Sequence, residues 1–284
     1  MIFWDAIVDG ALDTIKLVPF LFITYLLMEY IEHRTSDRIR AMIRRADKLG
    51  PLFGGALGAF PQCGFSAAAA SLYAGRVITV GTLIAVFLST SDEMLPIFLS
   101  NRVDIALIGR ILLVKACYGV LAGFLVDFLF RWLNLRKIGM SIHGICEAEH
   151  CECEQSILRS SVKHTLHITL FIFLISVVLT LVMEGIGTEN MQSLVFNQPV
   201  IGELLAGLIG LIPNCAASVA LTTMYLDGAM SAGAMMSGLM VGAGVGILIL
   251  FRTNRSRRET AQIIGILYCA GVIGGILTGA LHLI

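Results

Sequence analysis

Apolar runs dominate the chain, and the polar positions between them fall in short clusters. Segments near 11–31, 77–100, 105–130, 164–183, 231–251 and 260–283 are long and apolar. Each can cross a bilayer as a helix, which takes about 20 residues. Two further apolar segments, 50–75 and 199–227, are interrupted in the middle by "FPQCGFS" and "IPNCAAS". Proline lacks the N–H that a helix needs and holds the preceding residue away from helical geometry, so each segment reads as a helix that ends and restarts. Each limb has about 12 residues and reaches roughly 18 Å, to about the bilayer midplane. The pattern predicts two re-entrant hairpins.

The two interruptions are copies of one motif. They align without a gap at a separation of 152 positions, pairing Pro61 with Pro213, Gln62 with Asn214, Cys63 with Cys215, Ser66 with Ser218 and Tyr73 with Tyr225. Upstream, "DTIKLVPFLF" (13–22) has a counterpart in "HTLHITLFIF" (164–173). The chain therefore divides into a first repeat (1–130), a linker (131–163) and a second repeat (164–284). Each repeat reads as span, hairpin, span, span, or ten hydrophobic segments when hairpin limbs are counted singly. Three crossings per repeat is an odd number, so the second repeat is expected to insert upside down. Inverted repeats with broken helices are the architecture of many secondary transporters, with substrate bound where the halves meet. The expected fold class is an all-α integral membrane protein of two inverted repeats.

Charge supports the hairpin reading. With hairpins, the loops 33–49, 131–163 and 252–258, together with Arg76, share one side and hold sixteen of the twenty Lys and Arg residues. That side should be cytoplasmic, which places both termini outside. The opposing loop 184–198 has no Lys or Arg. A full crossing at 50–75 would move the basic 131–163 loop outside. Composition agrees with a polytopic membrane protein: 57% hydrophobic, 14% charged and a mean hydropathy of +0.85. Zero net charge gives no attraction to nucleic acid. The N-terminal stretch lacks a basic region and carries Asp5, Asp9 and Asp13, so it is expected to be retained. The seven cysteines do not form the framework of a small disulfide-stapled domain. A Gly-x-x-x-x-Gly-Lys-Ser/Thr phosphate loop is absent, so direct ATP use is not expected.

The motif residues are the first candidates for chemistry. Cys63 and Cys215, beside the amides of Gln62 and Asn214 and the hydroxyls of Ser66 and Ser218, would make a ligand set for a thiophilic cation. A single cysteine under a tight turn would be an apolar filler; two at matching tips favour a substrate site. Asp92 and Glu93 sit inside the span 77–100, and carboxylates at that depth are costly and point to function. The turn near 103 sets Lys115 level with them. Lys115 is then either half of an ion pair that fixes helix register or an internal cation competing with metal or proton. The second repeat has Gly244 and Val245 at the acidic positions. The linker "HGICEAEHCECE" supplies His143, Cys146, His150, Cys151 and Cys153. Such density suggests metal capture, although the spacing is not that of a zinc finger, and a solvated acidic linker is the alternative. Asp13, Lys16, His164 and His167 are weaker candidates for a proton route. Cys117, Cys269 and the glycines 238, 242, 244 and 246 read as close-packing positions, and "FRTNRSRR" (251–258) as a topology anchor.

With its partner motif and the Cys/His linker, the stretch "GAFPQCGFSAAAASLYAGRVITVGTLIAVFLSTSDEMLPIF" resembles the ten-transmembrane heavy-metal exporters. These are described as manganese-transporter or arsenic-efflux-like proteins. The more distant arsenical permeases are similar around their own cysteine motif, with Cys-x-Cys-Gly where this chain has Pro-Gln-Cys-Gly. The resemblance implies efflux of a divalent metal across the bacterial inner membrane, with the metal as substrate and no prosthetic group. Thiolates favour zinc, cadmium or trivalent arsenic, whereas carboxylates and amides favour manganese. The expected activity is secondary-active metal export, manganese or zinc-like, by alternating access and driven by protons or membrane potential. Arsenical efflux is one alternative. A membrane dithiol oxidoreductase pairing Cys63 with Cys215 is another, against which stands the absence of a C-x-x-C motif. The expected partners are the metal and the bilayer, with a homo-oligomer left open.

Overall fold

The computed structural model describes residues 49–60, 63–91, 94–133, 165–175, 198–254 and 256–281, with isolated positions near the N-terminus, at 162, 177–178 and 283–284. Regular structure among the described residues is helical. The first half contains α1 (Gly50–Gly58), α2 (Cys63–Ala74), α3 (Val80–Ser89), α4 (Met94–Ser100) and α5 (Ile105–Trp132). After α6 (Thr165–Ile175) the second half contains α7 (Ile201–Gly210), α8 (Cys215–Leu226), α9 (Ala232–Val241), α10 (Val245–Thr253) and α11 (Arg257–Ala280).

The two sets of helices keep the 152-residue register of the sequence. Helices α2 and α8, and α3 and α9, begin and end at positions 152 apart. Their caps follow the same register. The hydroxyl of Thr79 caps α3 by accepting from the Thr82 amide, and Ser231 caps α9 by accepting from Ala234. Asp104 and Ser256 cap α5 and α11 in the same way. Side-chain oxygens at these positions satisfy amides that the first helical turn leaves without carbonyl partners. Both halves also turn through positive φ at matching places, Arg76 (59°) and Gly228 (73°).

Helix α3 packs on α1, α2 and α5, and α9 packs on α7, α8 and α11. These two central helices touch each other, and both are buried almost throughout. The halves also exchange contacts: α2 lies on α10, and α8 lies on α4. The long helices α5 and α11 flank this centre. Leu121, Leu125, Phe128 and Trp132 are 66–74% exposed on one face of α5, as expected for a surface solvated by lipid tails. At 28 residues α5 is about 42 Å long, more than the roughly 30 Å of a hydrocarbon core. Among the described residues, four segments are long and apolar enough to cross a membrane: Val80–Ser100, Ile105–Trp132, Ala232–Thr253 and Arg257–Ala280.

Helices break at both Pro-amide-Cys motifs, between Gly58 and Cys63 and between Gly210 and Cys215. The expected continuous helices over 77–100 and 231–251 need correction. The first is broken after Ser89 and the second between Val241 and Val245, at positions again 152 apart. In the first, the Thr90 hydroxyl donates to Val86 O at 2.8 Å and the Ser91 hydroxyl to Ser89 O at 3.2 Å, a local competition with helical hydrogen bonding. Thr90 itself turns to ψ 131°. In the second, Gly244 takes φ 50°, ψ −132°, a conformation open to glycine and costly for other residues.

Glycines set how closely the helices approach. A Cβ on Gly210 would lie 2.2 Å from Gly238 O, and one on the matching Gly58 would lie 2.5 Å from Val86 O. Both obstacles are backbone, so the helices would have to separate. Gly210→Ala is therefore expected to lower stability by about 2 kcal/mol. Gly109 and Gly265 have nothing within 4 Å of such a Cβ. Alanine there should be neutral or stabilising by up to about 1 kcal/mol through helix propensity. Thermal unfolding in detergent compares the three variants.

Candidate transport site

Two of the four helix breaks, those that end α3 and α9, are joined through one side chain. Lys115 lies ten residues into α5, about 15 Å from the start of that helix and so near the middle of a bilayer-spanning length. It is fully buried. Its Nζ donates to Thr90 O, at the carboxyl end of α3, and to Leu239 O, in the last turn of α9, at 3.0 Å. These carbonyls are free to accept because of the breaks. A continuous α9 would turn the Ala243 amide toward Leu239 O, but that amide donates to Val241 O at 2.8 Å. Last-turn carbonyls carry the negative end of the helix dipole, where a cation is favoured. One ammonium thus neutralises the carboxyl ends of two helices, α3 and α9. The matching position in the second half, 267, is a fully buried leucine. The equivalent residues 118 and 270 also meet, with the Tyr118 hydroxyl donating to Ala270 O at 2.6 Å.

The motifs lead into α2 and α8, which pack on the broken helices α3 and α10, and α9 and α4. Cys63 and Cys215 are the first residues of α2 and α8. Asn214 is buried, and its Oδ1 accepts from the Ala216 amide at 3.2 Å, capping α8. Cys215 is half-buried and in no disulfide. Ser218 is half-buried on the same helix. Ser66 is buried, and its carbonyl lies 3.0 Å from where a Cβ on Gly246 would stand. Gly246 lies in the first turn of α10, so α2 packs directly on the start of that helix. The close-contact reading of Gly238 and Gly246 matches this geometry, whereas Gly244 serves the break. Cys117 and Cys269 are exposed rather than packed.

Several expected site residues lie outside the described residues: Gln62, Asp92, Glu93 and the linker's His143, Cys146, His150, Cys151 and Cys153, together with the side chain of Cys63. Among the described residues, no three His, Cys, Asp or Glu side chains gather as a metal cluster. For Lys115 the geometry adds partners the sequence reading did not contain, the two backbone carbonyls. Buried acids missed by that reading are Asp127 and Glu203, each beside the first turn of a central helix. Asp127 accepts from the Gly81 amide at 3.0 Å and from the Thr79 hydroxyl at 2.7 Å. An acid within an apolar run is the signal that could have found both.

Beyond the far end of α2 the halves are joined by charge. Arg76 donates Nη1 and Nη2 to the two Glu259 oxygens at 2.5 and 2.7 Å. The Tyr73 hydroxyl donates to the same carboxylate. The Glu259 hydrogen bond raises the Arg76 guanidinium above its usual range, against the opposing effect of burial. At the equivalent places in the other half stand Tyr225, Gly228 and Leu107, and Tyr225 contacts the Phe98 ring with centroids 6.3 Å apart. One of the two matching junctions is ionic and the other is apolar.

This arrangement defines a helical, multi-pass membrane protein organised around broken helices. A family model described as "Putative, 10TM heavy-metal exporter" matches residues 3–198, about two-thirds of the chain, and the protein belongs to that family. No curated protein and no solved structure matches.

Proposed function

We propose that the protein is a secondary-active exporter of a divalent heavy-metal cation, manganese or zinc-like, across the cytoplasmic membrane, driven by protons or membrane potential. The observation that carries this reading is the Lys115 bridge between the broken helices of both halves. Broken helices that expose carbonyls and helix ends at mid-membrane are how transporters build ion sites. The shared 152-residue register and the three crossings per half support an inverted repeat, and the Lys/Arg bias supports a cytoplasmic linker with both termini outside. The metal is the substrate. Cys63, Cys215, Gln62, Asn214, Ser66 and Ser218 at the tips, with Asp92 and Glu93 at the first break, are the proposed ligands. His143, Cys146, His150, Cys151 and Cys153 would collect the ion. Rocking of one half against the other then exposes it outward.

Metal flux into inverted membrane vesicles is expected to fall to background in Cys63→Ala and in Asp92→Asn. Undiminished flux in both rejects the assigned site. A second reading, arsenical efflux, is favoured by a half-buried cysteine, Cys215, that is in no disulfide and opens α8. A deletion strain sensitive to arsenite but not to manganese or zinc would select it.

A further inference from the structure

We infer that Glu203 carries the coupling proton, so that metal leaves in exchange for protons entering from outside; this rests on the exporter reading above. Glu203 lies in the first turn of α7 and is 5% exposed. Its Oε1 is 2.6 Å from where a Cβ on Gly233 would stand and 3.6 Å from one on Gly279. The carboxylate is thus pressed between the first turn of α9 and the end of α11. Its Oε2 is buried and has no hydrogen-bond partner among the described residues.

The other half shows what a purely structural acid looks like at this place. Gly81 and Gly123 match Gly233 and Gly275 in the 152-residue register, and each pair brings two helices into backbone contact. Beside Gly81 sits Asp127, with one oxygen on the Gly81 amide and the other on the Thr79 hydroxyl. Asp127 comes from α5, whereas Glu203 comes from α7, the counterpart of α1. Each central helix therefore has a buried carboxylate at its amino end, drawn from a different helix. Both carboxylates suit the helix dipole, but only Asp127 has both oxygens engaged. A buried, incompletely paired carboxylate is costly. Taking up a proton removes that charge, and releasing it restores the charge.

Among the described residues, the surroundings supply no competing cation. Helix α9 carries no ionisable side chain, and the Ser237 hydroxyl donates to the Glu203 backbone oxygen at 2.7 Å. On α11, Tyr268 donates to Leu204 O at 3.1 Å and Cys269 is exposed. Arg257, Arg258 and Glu259 begin α11, at the end opposite Gly279. On α8 stand Cys215 and Tyr225, with Asp227 as its C-cap. His282 follows α11 and lies outside the described residues. The charge bias puts the starts of α7 and α9 on the outer side, so a proton from outside reaches Glu203 first. It binds there as metal leaves, and the same proton is released inside after the halves rock back.

The test uses the full chain in proteoliposomes, with manganese, zinc and cadmium as probes, a metal-sensitive dye and a lumenal pH dye. Wild type should move lumenal protons opposite to metal. Glu203→Gln should keep exchange of labelled for unlabelled metal and lose the metal-driven pH change down to the level of protein-free vesicles. Glu203→Asp should retain the pH change. A pH change in Glu203→Gln that stays proportional to metal flux overturns the assignment. Wild type moving metal without any pH change overturns it too, and leaves the exporter reading standing. Wild type moving none of the three metals removes both. Should Glu203→Gln fail to assemble, an imposed pH gradient on wild type decides: uphill metal movement that follows the gradient supports proton exchange, and indifference to it overturns the inference.

Discussion

Lys115→Met is expected to abolish metal flux and to lower stability by about 3 kcal/mol, although methionine nearly fills the space of lysine. The cost arises from what the ammonium leaves behind. Thr90 O and Leu239 O are held by a fully buried donor, and each buried acceptor stripped of its partner costs about 1–3 kcal/mol. The helix breaks have already removed the amides that would otherwise serve these oxygens, so no neighbouring donor takes over by restoring helix. The functional loss follows from the same contact. Thr90 and Leu239 belong to different halves, and without Lys115 the negative ends of α3 and α9 face each other uncompensated. Leu267→Met, at the equivalent position of the second half, exchanges one apolar side chain for another and should cost less than about 1.5 kcal/mol with flux retained. Thermal unfolding in detergent and vesicle flux measure the pair. A Lys115→Met protein as stable as Leu267→Met would show that the two carbonyls have other donors.

The elements most legible in the sequence were those whose cause is a side chain. Apolar runs mark the spans because lipid selects them, and Pro61 and Pro213 mark two breaks because proline cannot continue a helix. The other two breaks were hidden. Ser89-Thr90-Ser91 and Gly242-Ala243-Gly244 are residues that membrane helices also carry unbroken, and only the local bonds of Thr90 and Ser91 and the positive φ of Gly244 distinguish them. Lys115 was visible as a buried cation, but the sequence offered only carboxylates as partners. Backbone carbonyls freed by a break are not written in it. Glu203 and Asp127 escaped because they align with Pro51 and Gly279. A search for matched motifs passes over acids that reach the same place from different helices.

The ionic junction between the halves should be separable from the backbone turn that presents it. Arg76→Glu sets two carboxylates against each other beside the Tyr73 hydroxyl, and Glu259→Arg sets two guanidiniums together. Each is expected to cut flux roughly tenfold, corresponding to about 1.4 kcal/mol. The size is limited because the side chains are 29% and 28% exposed, where water and salt screen the pair. The double exchange should recover most of the flux, since the bidentate geometry needs one charge of each sign and is indifferent to which helix supplies it. Arg76→Gly isolates the other component. Arg76 sits at φ 59° where its counterpart is Gly228 at 73°, so glycine relieves the turn while deleting the charge. If flux falls in Arg76→Gly as it does in Arg76→Glu, the ion pair is what holds this junction. If Arg76→Gly is unaffected, the native ion pair contributes nothing to flux, and the loss in Arg76→Glu comes from repulsion alone. An apolar contact holds the equivalent place on the other half, so raising the salt concentration should weaken one junction and leave the other unchanged.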